Sequence, residues 1–161
     1  MKRTLPNLLL DDETGELLAS EARFVLLPAG FFITSLEQIG KIVGQAAPAL
    51  LFRIGCGIGE EYVNMIKRAA DEYGETLDTD LLLLEAYENA LYQSGFGMIR
   101  LKDLDVEKPR IILEVANSPT KDEKGCDLFR GIIAGIATEV LGECACNEVE
   151  HGETCVFEVV K

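Results

Sequence analysis

Apolar residues recur along this chain with two different periods. In the middle of the sequence they fall three and four apart. Leu36, Ile39, Ile42 and Val43 begin such a pattern near Ser35, and Ser35 with Gln38 has the spacing of a capping box. Pro48 suits the first turn of a second helix, which carries Leu51, Ile54, Ile58, Met65 and Ala69 on one face and stops at Gly74. A third helix is expected from about Asp80 to Ser94, capped by Asp78 or Thr79 and stopped by Gly95. Leu81, Leu84, Tyr87, Ala90 and Leu91 line its buried side. After Gly95 the period falls to two. Phe96 to Leu101 and Ile111 to Val115 read as strands joined by the charged segment KDLDVEKP. A last helix, Cys126 to Leu141, bears the stripe Phe129, Ile132, Ile133, Ile136 and Val140. Two strands, roughly 143–149 and 155–160, then close the chain as a hairpin around HGET. The first 33 residues read as extended: 8–10 and 16–19 flank the turn DDETG, and Arg23 to Leu27 forms a third short strand before Pro28 and Gly30. This order predicts an α+β fold, helices packed on an antiparallel sheet, in a single domain over residues 1–161.

Composition narrows the functions. A chain of 161 residues, 48% of them apolar, can bury roughly 70% of its unfolded surface without disulfides. Its formal charge of −13 repels phosphate backbones and anionic membrane surfaces, so neither nucleic acid nor membrane is expected as a partner. No run of 18 apolar residues suggests a bilayer span, and Leu8 to Leu10 is too short a run for a signal peptide. The protein is therefore expected to be cytoplasmic, where its five cysteines would be thiols or metal ligands in place of disulfides.

Four of those cysteines, and the only histidine, lie in the last 36 residues. Cys144 and Cys146 stand two apart on a predicted strand and so share a face, Cys155 begins the next strand and can face them across the hairpin, and Cys126 begins a helix. Soft ligands converging from separate elements suit tetrahedral zinc. The spacing C-x17-C-x-C-x8-C lacks paired CxxC knuckles, however, and buried thiols or a redox pair satisfy the same pattern. Cys56, alone in the second helix, reads as core. Glycines four apart, Gly55 with Gly59 and Gly131 with Gly135, lower helix propensity and let another backbone, or a ligand, come close.

The chain reads LLFRIGCGIG at 50–59, GFG at 95–97, EVANS at 114–118 and CDLFRGIIAG at 126–135. Glu143, Cys144, Cys146, Gly152 and CVF at 155–157 follow. In this order the motifs resemble those of the 4-vinyl-reductase-type small-molecule-binding domains, over roughly residues 35–160. The resemblance implies a fold related to haem-based nitric-oxide sensors and to the TRAPP subunits of Golgi transport. It also implies a structural zinc, which the family's phenol-sensing activators hold with three cysteines and a glutamate. Position by position these are Cys126, Glu143, Cys146 and Cys155. The interval from Cys146 to Cys155 is one residue longer than the family's, and that from Gly152 to Cys155 one shorter, so Cys144 and His151 stand as further candidates.

The resemblance implies, too, a pocket for a small hydrophobic or aromatic molecule between helices and sheet. On the helices, Phe52, Gly55, Gly59, Tyr62 and Ile66 would line it, with Tyr87 and Tyr92. Phe96 and Met98 would contribute from the sheet side, and Phe129 and Ile133 from the last helix. The same residues also suit an ordinary core. No catalytic residue is assigned: the one histidine sits in a turn, and GCGIG at 55–59 is not a dinucleotide fingerprint. A free-standing binding or sensing domain acting through another protein is thus the first expectation. A reductase of tetrapyrrole metabolism and an assembly subunit are the alternatives, and a homodimer stays open.

Overall fold

One helix lies at the centre, between a sheet and the helices that follow the N-terminal elements. The computed structural model describes residues 8–19, 22–105, 110–119 and 127–161. Within them, helix α4 (Asp127–Leu141) buries Leu128, Phe129 and every residue from Gly131 to Ala137. A helix apolar on all sides needs cover all round. A four-stranded sheet supplies it on one side and helix α2 (Ala47–Tyr73) on the other. Cys126, the predicted first residue of α4, lies outside the described residues, as does most of the charged segment before it.

The sheet comprises β4 (Met98–Asp105), β5 (Arg110–Ala116), β6 (Ala145–Glu150) and β7 (Thr154–Val160), in the antiparallel order β4-β5-β7-β6. Strict alternation along β5 and β7 turns Ile111, Leu113, Val115, Cys155, Phe157 and Val159 inward. The fold class is as expected, α+β with an antiparallel sheet.

The contact between α2 and α4 explains the four glycines. A Cβ on Gly55 would overlap the Leu128 carbonyl, and one on Gly59 the Ile132 carbonyl. From the other side, Gly131 would strike the Phe52 carbonyl and Gly135 that of Cys56. The helices therefore touch backbone to backbone, close enough for Cα–H to carbonyl contacts. A Lys67–Glu139 ion pair of 2.9 Å joins the same two helices at their surface.

Before this body stand strands β1 (Leu8–Leu10), β2 (Leu17–Ala19) and β3 (Ala22–Phe24), a separate antiparallel sheet, and helix α1 (Ala29–Val43). The β1–β2 turn is fixed by Asp11, whose carboxylate accepts the amides of Glu13 at 2.8 Å and Thr14 at 3.1 Å. The third strand is shorter than predicted, ending at Phe24. Helix α1 begins at Ala29 and not near Ser35: the Ser35 hydroxyl donates to the Phe31 carbonyl one turn back, an interior pattern, and Pro28 precedes the first turn. Gly44, at φ 61° and ψ −130°, leads through a 3-10 turn into α2. The helical stretch Ala29–Tyr73 is long and apolar enough, by length and composition alone, to cross a membrane, which the search for unbroken apolar runs did not anticipate.

Helix α3 (Thr79–Leu84) is capped as predicted, Asp78 accepting the Leu81 amide at 2.8 Å. From Glu85 to Leu91 it widens into a π-helix. This widening corrects the predicted stripe: Leu82, Leu83, Ala86, Tyr87 and Leu91 are buried, whereas Leu81 and Leu84 face out. Residues four apart run ahead of one full turn on an α-helix and fall short of one on a π-helix, so passing from one to the other keeps Leu83, Tyr87 and Leu91 near one face. Glu88, within this segment, accepts the Leu101 amide at 2.6 Å, where β4 carries a bulge between Leu101 and Asp103.

The glycine contact makes a paired prediction. Gly131→Ala should destabilise the protein by ~1–3 kcal/mol or more through overpacking against Phe52. Gly57→Ala, where a Cβ meets nothing within 4 Å, should be neutral or stabilise by up to ~1 kcal/mol. Urea denaturation of both variants checks it, and equal behaviour would refute the close-contact account.

Candidate functional site

The β6–β7 hairpin gathers three side chains whose donor atoms could hold a metal ion. Its register sets Cys146 opposite Val159, Glu148 opposite Phe157 and Glu150 opposite Val156, with an irregularity between Glu148 and Glu150. That irregularity lets Glu148 and the turn residue His151 converge on Cys155. His151 Nδ1 lies 2.8 Å from Glu148 Oε1 and 3.9 Å from Cys155 Sγ, and one ligand atom from each residue falls within 4.8 Å of the other two. Cys155 is buried, Glu148 half-buried and His151 exposed, so the cluster opens outward at the hairpin tip.

Carboxylate oxygen, imidazole nitrogen and thiolate are all zinc ligands, with bonds of ~2.0–2.3 Å. Tetrahedral geometry then separates ligand atoms by roughly 3.3–3.8 Å, close to the observed sulfur–nitrogen distance. The donor set thus fits the metal that the sequence motifs imply. Glu148 was not among the candidates, because a carboxylate at the fourth position of a strand carries no signal until the register is known.

Of the six candidate ligands the structure brings two together, His151 and Cys155. Cys126 lies outside the described residues. Among the described residues, Glu143, Cys144 and Cys146 do not join the cluster. Cys146 does share the inward face with Cys155, as strand alternation predicts. Its partner Val159, however, is four residues from Cys155, roughly 13 Å along the strand. The expectation that Cys155 faces Cys146 across the hairpin is therefore corrected by the register. Burial pushes the Cys146 thiol up to about 12, against the opposing pull of Arg130. Cys144 donates to the Gly142 carbonyl at 3.1 Å, its amide is held by Thr138 Oγ1 at 3.3 Å, and burial raises its pKa too. Glu143 is exposed.

The predicted pocket wall is partly assembled and tightly packed. Phe129 stands between Phe96, stacked at 5.7 Å, and Phe157, edge-on at 5.5 Å. Tyr87 is fully buried and donates its hydroxyl to the Ile133 carbonyl at 2.8 Å, and burial holds its pKa well above the usual phenol value. Phe52, Tyr62 and Ile66 pack at the margin of this core, Phe52 beneath the Arg130 guanidinium at 5.4 Å. Gly55 and Gly59 serve another backbone, that of α4, the first of the two roles their spacing allowed. Tyr92 and Met98 stand outside this packed core, each 43% exposed. Tyr92 lies just past the π-helical segment, off the face of Tyr87 and Leu91, and Met98 alternates with the inward Ile99. Two clefts of the described surface lie apart from this wall. One of about 320 Å³ is lined by Ala116, Asn117, Glu153 and Thr154, and one of about 220 Å³ lies between Lys67 and Leu82.

By sequence, no family profile and no curated protein matches the chain. Solved structures do match. The phenol-responsive sensory domain of the transcription activator PoxR, solved with phenol, superposes over 95% of this chain and 84% of its own, with a TM-score of 0.79 at 15% identity. The two share one fold. A vinyl-4-reductase family protein from Methanocaldococcus jannaschii matches over 84% of this chain and 82% of its own (TM-score 0.55, 21% identity). Subunit 3 of the trafficking protein particle complex from Naegleria fowleri, covalently bound to palmitic acid, matches over 82% and 89% (TM-score 0.53, 11% identity). The fold relations implied by the sequence motifs to the reductase-type domains and to TRAPP subunits hold.

The cysteine environments predict an order of reactivity. Iodoacetamide at mildly alkaline pH should modify the half-buried Cys56 and Cys144 well before the buried Cys146, whose thiolate burial disfavours most strongly of the three. Peptide mass spectrometry at successive times reads the order directly, and early labelling of Cys146 would contradict it.

Proposed function

We propose that this chain binds a small apolar or aromatic molecule in the space between α3, α4 and the sheet, and that a metal site, of zinc type, ties its C-terminal hairpin. One observation carries the reading: the fold of a phenol-bound sensory domain extends over 95% of the chain. The interior chemistry supports it. Phe96, Phe129 and Phe157 offer aromatic walls, and the Tyr87 hydroxyl with the Ile133 carbonyl offers one polar handle. Because these groups fill the space, a ligand enters by displacing rings. The protein is then a two-state system in which the ligand favours the opened state.

Thermal shift and native mass spectrometry with phenol, cresols and larger apolar compounds test this. Binding raises the melting temperature in step with ligand concentration, as the stabilisation RT ln(1 + [L]/Kd) requires. Phe129→Ala, which enlarges the space, moves the preference toward larger aromatics. Apo mass alone and no shift with any compound would end the proposal.

Glu148, His151 and Cys155 would hold the metal, with Cys126 as the further ligand suggested by the motif. Its contribution is structural: cross-linking residues of a hairpin whose ends otherwise rely on strand pairing. Protein made in zinc-supplemented medium should carry one metal per chain. Chelator should lower its melting temperature, and His151→Ala with Cys155→Ser should abolish both effects. Absence of stoichiometric metal together with a melting temperature indifferent to chelator counts decisively against the site and leaves the ligand proposal standing.

The likeness to a vinyl-4-reductase family protein favours a second reading, a reductase or accessory protein acting on a tetrapyrrole. It differs in its readout, a co-purifying pigment with a visible absorption band.

A further inference from the structure

Among the described residues, Arg130 Nε is the one buried side-chain nitrogen or oxygen without a hydrogen-bond partner. A buried donor of a charged group is costly to leave unanswered, because nothing replaces the water it has lost. The rest of the guanidinium is held. The Phe52 ring centre lies 5.4 Å from its central carbon, and Asp127, one turn back on α4, pairs with Nη2 at 3.3 Å. Ring and carboxylate fix the plane of the group, and with it the direction of the Nε–H bond. The side chain as a whole is 31% exposed, so Arg130 stands at the boundary between interior and solvent. On α4 it follows Phe129, the middle ring of the aromatic wall, and Phe52 packs on the same core. The Arg130 charge acts on the Cys146 thiol, which in turn acts on the buried Tyr87 hydroxyl. Arg130 and Tyr87 therefore border one region of the interior.

We propose that Arg130 anchors the carboxylate of an aromatic acid, so that the small molecule taken into this interior is an aryl carboxylate. The proposal rests on the ligand reading given above and names its chemical class. The donor comes first. An arginine N–H can only donate, so its partner must be an acceptor. A carboxylate matches the guanidinium in plane, and a charge-assisted bond is about twice as strong as a neutral one. The second ground is the lining. Phe52 at the boundary and Phe96, Phe129 and Phe157 further in give an aromatic ring faces and edges to pack on. The third is charge. With its anion at the boundary and its ring inward, the acid keeps its carboxylate near water, so neither partner of the pair is fully desolvated. Arg53, exposed next to Phe52 on α2, adds a second positive charge that acts on neighbouring Cys56. A phosphate ester fits less well. It brings nearly two negative charges to a chain already at −13, and one Nε–H cannot answer three oxygens.

Isothermal titration of the whole chain with benzoate and with benzamide, its neutral isostere, tests the proposal. The wild type should bind benzoate at least ~10-fold tighter, the margin between a charged and a neutral hydrogen bond. Arg130→Met, of similar reach but without charge or donor, should weaken benzoate by ~10-fold or more and leave benzamide within about 3-fold. Arg130→Lys keeps the charge and loses the planar group, so its affinity for benzoate should fall between the two. Circular dichroism checks that both variants are folded, and the lysine variant carries the comparison if the methionine variant is not. Equal binding of benzoate and benzamide by the wild type overturns the proposal, as does a variant that loses both alike, the mark of a merely structural arginine. Either result leaves the ligand reading standing, as does a protein that binds phenols but neither probe, which overturns the proposal too. A protein that binds no apolar or aromatic compound at all is a different outcome: the ligand reading fails, and the carboxylate anchor fails with it.

Discussion

Two helices in this protein are pressed together until their main chains meet, and the rest of the fold follows from that contact. Gly55 and Gly59 on α2 face Gly131 and Gly135 on α4, and in each case a single added carbon would collide with a carbonyl of the partner. The glycines cost helix propensity, about 1 kcal/mol each in an exposed helix. The return is a deep seat for α4, which leaves its opposite face free to fill the concave side of the sheet with Phe129, Ile132, Ile133 and Ile136. A wider helix spacing would lift those side chains off the strands.

The hairpin is a second, more local constraint. Alternation alone makes Cys146 and Cys155 look like partners, since both point inward. The pairing of Cys146 with Val159 sends them to opposite ends of the ladder. Cys146 is thereby a small apolar core residue with a thiol held protonated by its surroundings. Cys155 meets the turn beside Glu148 and His151, whose oxygen and nitrogen could serve with its sulfur as metal ligands. One sheet face carries both cysteines, and only position along the strand separates their surroundings.

Much of this was legible in the residues. Helices α2 and α4, the β5 and β7 strands and the Gly74 and Asp78 caps follow from spacing and stop signals, because each depends on neighbours a few positions away. What was not legible depended on long-range geometry. The outward turn of Leu81 and Leu84 accompanies a π-helical segment that follows them and packs against β4 and α4. The early start of α1 hid behind a serine that resembles a cap yet bonds backward to Phe31. Glu148 became a candidate ligand only when an irregularity in strand pairing placed it beside His151. The close helix contact was visible as glycine spacing, but spacing alone did not say whether a backbone or a guest molecule filled the gap.

The π-helical turn also links inside to outside. Tyr87 points from it into the core and grips Ile133, and one residue later Glu88 points to the edge strand and takes up the Leu101 amide beside the β4 bulge. Adjacent residues of a single turn thus hold the deepest hydroxyl of the protein and the rim of its sheet. Both hydrogen bonds belong to one turn, so the packing of the hidden centre and the pairing at the sheet's periphery are held in a fixed relation.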